Sequence, residues 1–277
     1  MKLAAFEKDT DYKTLRDLTS AETVKHEQYK VVISEARNRL NLFKILSYNF
    51  QDWRNYLDSL LIRKTNDHDD EMLHLDRLLL NYLTCAYTIR EHFEVSFNKR
   101  FRKDTSRKTE HDTFLKRLCS ESWAFAFFLD FRGHVQHYGL GIGHYARSYN
   151  ETSVSVTITQ DAASLISRNS QARAWTYSKL KGSEGIIELV PLLKEFHIHM
   201  LQNYAGFIVQ TFFPELIPAG EFYSLLTNEV QSTYPKSRMV FSEREIATRK
   251  EGRKTHFKFD LIKVPNDLFL ELGISRP

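Results

Sequence analysis

Cysteine, proline and glycine are all scarce in this chain, and each shortage excludes something. Two cysteines, Cys85 and Cys119, cannot build a disulfide framework. Both fall in apolar, helix-like stretches and read as small reduced core residues. Ten glycines and six prolines in 277 residues exclude a collagen-like or low-complexity chain and leave long stretches with no helix breaker. No segment reaches the roughly 20 uncharged apolar residues of a membrane span. The opening residues, MKLAAFEKDTDYK, lack an apolar stretch of signal-peptide length. The expectation is therefore a soluble, cytoplasmic protein with no membrane association. Charge of one sign is lacking too: 39 basic residues against 35 acidic ones give +4, which permits an anionic partner without demanding one. There is no GxxxxGK[ST], GxSxG, HExxH or paired CxxC. GLGIGH (139–144) contains a GxG, but it follows a helical pattern rather than a strand, so a dinucleotide fold is not supported.

What is present is ordinary folded protein, 42% hydrophobic and 13% aromatic, long enough for one large domain or two smaller ones. Residues 21–64 carry apolar side chains at helical spacing (Val32, Leu40, Phe43, Leu46, Phe50, Trp53, Leu57), which predicts one long helix or two. TNDHDDE (65–71) supplies a cap and an acidic first turn for a helix over about Asp70 to Arg100, with Leu75, Leu79, Tyr82, Ala86, Ile89 and Phe93 on its inner stripe. A basic connector, NKRFRKDTSRK (98–108), leads to a third apolar helix from about His111 into FFLDFRGHVQHYGLGIG (127–143). The first half thus reads as an all-helical antiparallel bundle.

After Asn150 the character changes. SVSVTIT (153–159), RAWTYSKL (173–180), RMVFS (238–242) and THFKFDLIKV (255–264) read as strands, KGSEG (181–185) as a turn, and 185–213 as helix ending at Pro214. The predicted fold class is mainly α: a helical bundle over 1–150, followed by an α+β extension with a small β-sheet over 151–277, packed on it.

Several clusters have bland readings. Asp67, His68, Asp69, Asp70, Glu71 and His74 straddle a helix start with no second cluster to complete a metal shell, and read as a capped, solvated N-terminus. His197 and His199 fall on opposite sides of a helix and read as core or surface residues rather than ligands. In the basic segment, Lys99, Arg100, Arg102 and Lys103 interleaved with Phe97 and Phe101 would suit an RNA surface, where cations meet phosphate and rings meet bases.

Arginine followed after four to six residues by histidine occurs three times: Arg63–His68, Arg132–His137 and Arg249–His256. The spacing alone is no more than chance supplies, and only Arg132–His137 follows a long apolar helix. That segment, RGHVQHYGL, resembles the Gln-His-x-Gly-Leu ending of one group of proteins in the HEPN superfamily of helical domains. The upstream helix RLLLNYLTCAYTIREH (77–92) is similar to that group's Arg-x-Leu-Leu-Asn-aromatic-Leu helix, which closes on an acidic residue and a histidine. The resemblance covers residues 30–145. Its one departure is Gly133, where the family commonly has a polar residue.

The resemblance implies a HEPN-like bundle and a metal-independent endoribonuclease of toxin or phage-defence type, with no cofactor and no metal. It implies Arg132 and His137 as the catalytic pair, with His134, Asn81 and Gln136 as auxiliaries. The residue types suit that chemistry. RNA carries its own nucleophile in the 2′-hydroxyl, histidine titrates near neutrality, and arginine grips phosphate with paired donors. On a continuous helix, positions five apart are rotated by about 140°. Either the helix breaks near Gly133, or the site is completed by a second chain, as the family commonly does in homodimers. RNA, a second copy and an antitoxin or other protein are the implied partners. The alternative is a non-catalytic dimeric scaffold or nucleotide- or RNA-binding module, in which Arg132 simply caps a helix end.

Overall fold

Thr19 begins the longest element. Its hydroxyl accepts from the Glu22 amide at 3.2 Å while the Glu22 carboxylate accepts from the Thr19 amide at 2.8 Å, a reciprocal capping box. With no glycine or proline downstream, the helix α1 runs unbroken over Ser20–Leu60, about 60 Å. In the computed structural model the described residues are 1–6, 12–63, 67–137, 141–149, 154–168, 185–242, 259–260 and 262–274. Of these, 72% are helical, and the strands form two small antiparallel sheets. No helix among them is long and apolar enough to cross a membrane.

The chain divides into two compact units, Asn41–Gly206 and the discontinuous pair Met1–Leu40 with Phe207–Pro277. In the second of these, strands β1 (Lys2–Phe6), β2 (Tyr12–Asp17), β6 (Arg238–Ser242) and β7 (Phe259–Asp260) form a sheet in the order β2-β1-β6-β7. Leu3, Ala4 and Ala5 of β1 are all buried, and Leu3 pairs with Phe241. Helix α8 (Leu216–Thr233) packs on this sheet, and Arg16 from β2 bridges Glu22 of α1 and Glu229 of α8. Helix α9 (Pro265–Leu272) opens on proline and closes on Gly273 in the left-handed region (φ 68°), where the Ile274 amide bonds back to the Phe269 carbonyl.

The other unit holds the remaining length of α1, then α2 (His68–Arg100), α3 (Thr105–Glu121) and α4 (Trp123–His137). A three-stranded sheet follows from β3 (His144–Tyr149), β4 (Val154–Asp161) and β5 (Ile186–Glu188), with α5 (Ala162–Arg168) between β4 and β5. Helix α6 (Leu189–His199) packs on α4 and β4 and passes through a π turn, Met200–Tyr204, into α7 (Ala205–Phe212). The core is aromatic: Phe43, Tyr82, Phe125, Phe128, Phe196 and Tyr204 are each buried.

The strands expected at 153–159 and 238–242 are present as β4 and β6, and the long first helix is single. Three expectations are corrected. The first 150 residues are not all helical, because β1, β2 and β3 lie within them. The third helix is two, broken at Ser122, whose hydroxyl caps α4 by accepting from the Phe125 amide at 3.1 Å. The basic segment 98–108 is mostly helix ends, with only 101–104 left as connector. RAWTYSKL (173–180), residues 181–184 of the turn, and half of THFKFDLIKV lie outside the described residues; Phe259–Asp260 are strand and 262–264 are not.

Candidate functional site

Helix α4 presents Arg132 near its C-terminal end. Nothing lies within 4 Å of where a Gly133 side chain would begin, and the helix continues through this position to His137. The break that Gly133 offered is absent. Arg132 and His137 therefore leave one helix about 140° apart. The side chains of His134, Gln136 and His137 lie outside the described residues.

Arg132 is half-buried and lies against α2. Its guanidinium carbon is 3.4 Å from the centre of the Tyr87 ring, and that of Arg90 is 4.7 Å from the same centre. A cation over an aromatic face is favourable without consuming the N–H donors. The Nε atoms of Arg90 and Arg132 are buried and have no hydrogen-bond partner among the described residues. Tyr87, Arg90 and His92 line an open groove of about 750 Å³ along α2, together with the carboxylates of Glu91 and Glu94. Sequence reasoning missed Tyr87 and Arg90; an arginine three residues after a tyrosine on one helix face is the only local signal.

Asn81, the other expected auxiliary, belongs elsewhere. It lines a second groove between α1 and α2 with His74, Arg77 and Tyr56. There the Arg77 Nη2 atom donates to His74 Nε2 at 3.1 Å, and the His74 ring stacks on Tyr56 at 4.1 Å. Burial, helped by the charges of Arg77 and Arg63, holds the His74 imidazole below its usual pKa.

The acidic cluster at the start of α2 is only partly the solvated cap expected. Asp67 caps by accepting from the Asp70 amide, and no metal-binding group of residues forms among the described residues. Glu71, however, is buried. It accepts from the Tyr145 hydroxyl at 2.6 Å and from Arg147 Nη1 at 3.2 Å, while His68 Nε2 lies 2.9 Å from the Tyr145 carbonyl. The carbonyl contact, then Asp69, raises the His68 pKa. Asp76 is likewise buried and accepts from the Ile142 amide at 2.9 Å. These contacts fasten the residues after α4 onto α2. The backbone of Gly141 comes close there, and a Cβ at this position would lie 2.9 Å from the Leu79 side chain, which would have to shift.

Lys99, Arg100, Arg102 and Lys103 are exposed. Phe97 is not available to stack on a base, because it is buried against the His111 ring at 4.7 Å. Phe101 is half-buried, with Arg100 and Arg107 over its ring. No family model, no curated protein and no solved structure matches the chain.

Proposed function

We propose that the protein is a metal-independent endoribonuclease of the kind used in toxin or phage-defence systems, built on a HEPN-like helical domain and active as a homodimer. Arg132 holds the scissile phosphodiester and the charge that grows on it. His137 takes the proton of the 2′-hydroxyl as that oxygen attacks phosphorus, and the partner's His137 returns a proton to the departing 5′ oxygen. The exposed Lys99, Arg100, Arg102 and Lys103 hold the strand.

The observation that carries this reading is the state of Arg132. An arginine serving only to cap a helix end places its N–H groups on backbone carbonyls. Arg132 instead rides on the Tyr87 ring, beside Arg90, with its buried Nε unpaired among the described residues. The 140° offset along an unbroken α4 is the reason the reading requires two chains.

The test is cleavage of RNA in EDTA by wild type, Arg132→Ala and His137→Ala. Both variants should fall by about 10²-fold or more, and equal cleavage by all three overturns the assignment. Light scattering that finds a strict monomer at micromolar concentration overturns the two-chain site. No cleavage by any of the three, with RNA bound alike, points to the non-catalytic scaffold.

A further inference from the structure

The groove between α1 and α2 contains neither Arg132 nor His137, and its chemistry is different. Two basic side chains meet the Tyr56 ring, His74 from the lining of the groove and Arg63 from beside it, and a third, Arg77, joins them through His74. His74 stacks on Tyr56, Arg77 donates to His74, and the guanidinium carbon of Arg63 is 5.1 Å from the Tyr56 centre. Among the described residues no carboxylate lies within 4 Å of the nitrogens of Arg63 or Arg77. An arginine whose acceptor is a neutral imidazole is a weakly satisfied cation, since it binds an anionic acceptor far more strongly. A phosphate entering here would replace His74 as the acceptor for Arg77 and convert His74 from acceptor to donor by proton uptake.

The rest of the lining is polar in a second way. Asn49, Asn55 and Asn81 contribute carboxamides that both donate and accept, and Asp52 contributes an acceptor. That mixture suits hydroxyl groups, which also do both. The groove encloses about 390 Å³, within the range of small-ligand sites.

We propose that this groove binds a phosphorylated sugar, the phosphate held by Arg63, Arg77 and His74 and the hydroxyls by Asp52 and the three carboxamides. The sugar phosphate is either free or the sugar–phosphate unit of a nucleotide, and the two are separated by the probes.

Titration calorimetry at pH 6 with ribose 5-phosphate, a ribonucleoside 5′-monophosphate, ribose and inorganic phosphate tests it. At least one of the two phosphorylated sugars should bind saturably, and the tighter one identifies the source. Ribose and inorganic phosphate should each bind at least about tenfold more weakly. Arg77→Gln, a change at an exposed position that leaves the fold intact by circular dichroism, should weaken binding by about tenfold or more. His74→Phe, which keeps the stack on Tyr56 but has no ring nitrogen to donate, should weaken binding several-fold at pH 6. Arg132→Ala should bind as wild type does, so this site and the ribonuclease reading fail separately. Absence of saturable binding by both sugars, equal binding by Arg77→Gln, or inorganic phosphate binding as tightly as the sugars overturns the proposal.

Discussion

His197 shows what burial does to a single titratable group. Its ring stacks on Phe50 at 4.0 Å, with an interplanar angle of 11°, and the Tyr82 hydroxyl lies 3.1 Å from Nδ1. Burial pushes its pKa down to about 4, against about 6.5 in an unfolded chain. Above pH 6.5 both states are neutral. Between 6.5 and 4 the unfolded chain takes up a proton that the folded chain refuses, so stability falls as pH falls through that window. The full loss is on the order of 3 kcal/mol. Urea unfolding at pH 7.5 and pH 5 should differ by about 2 kcal/mol, and His197→Phe should shrink that difference. His111 and His74, also lowered by burial, contribute in the same direction. At this scale the sequence is informative about type and less so about place. Spacing puts His197 and His199 on opposite sides, and the second indeed faces outward to Glu195 and Asn203. Nothing local marks Tyr87 as the platform for Arg132, because the two meet only when α4 packs against α2.

Between elements, the contact of greatest consequence is the buried Glu71–Tyr145–Arg147 group that joins the first turn of α2 to β3. Glu71 and Arg147 expose 5% and 1% of their side chains. Burial and the Glu71 carboxylate together raise the Tyr145 hydroxyl well above its usual range, keeping it a donor. Removing one partner of such a pair leaves the other charge under-compensated, so Glu71→Ala should cost about 3 kcal/mol or more. Glu71→Gln, which keeps an acceptor for Tyr145, should cost less. Equilibrium denaturation of the two variants checks the order. The helices are the legible elements, since α1 and α2 announce themselves through periodicity, and α2 also through the cap and acidic turn of TNDHDDE (65–71). The break at Ser122 is harder to see, because apolar spacing continues across it and only the serine hydroxyl marks the new start. Strand β1 is harder still: Leu3, Ala4 and Ala5 are buried in succession, so KLAAF shows no alternation.

At the level of the whole molecule, one unit is assembled from both ends of the sequence. Strand β1 lies inside its sheet, between β2 and β6, and the pairing of Leu3 with Phe241 leaves no local signature in either segment. Deleting residues 1–6 strips β6 of its neighbour on one side and uncovers a row of unpaired backbone groups there. The expected result is loss of that unit's cooperative unfolding and a shift to aggregates in size-exclusion chromatography.

The same pairing has a consequence in time. At roughly 5–20 residues per second, β1 leaves the ribosome ten to fifty seconds before β6 exists. Throughout that interval the apolar Leu3–Ala5 strand has no partner on that side, and the whole of Asn41–Gly206 is made before that partner exists. During its own synthesis the chain must keep its first few residues from pairing with anything else.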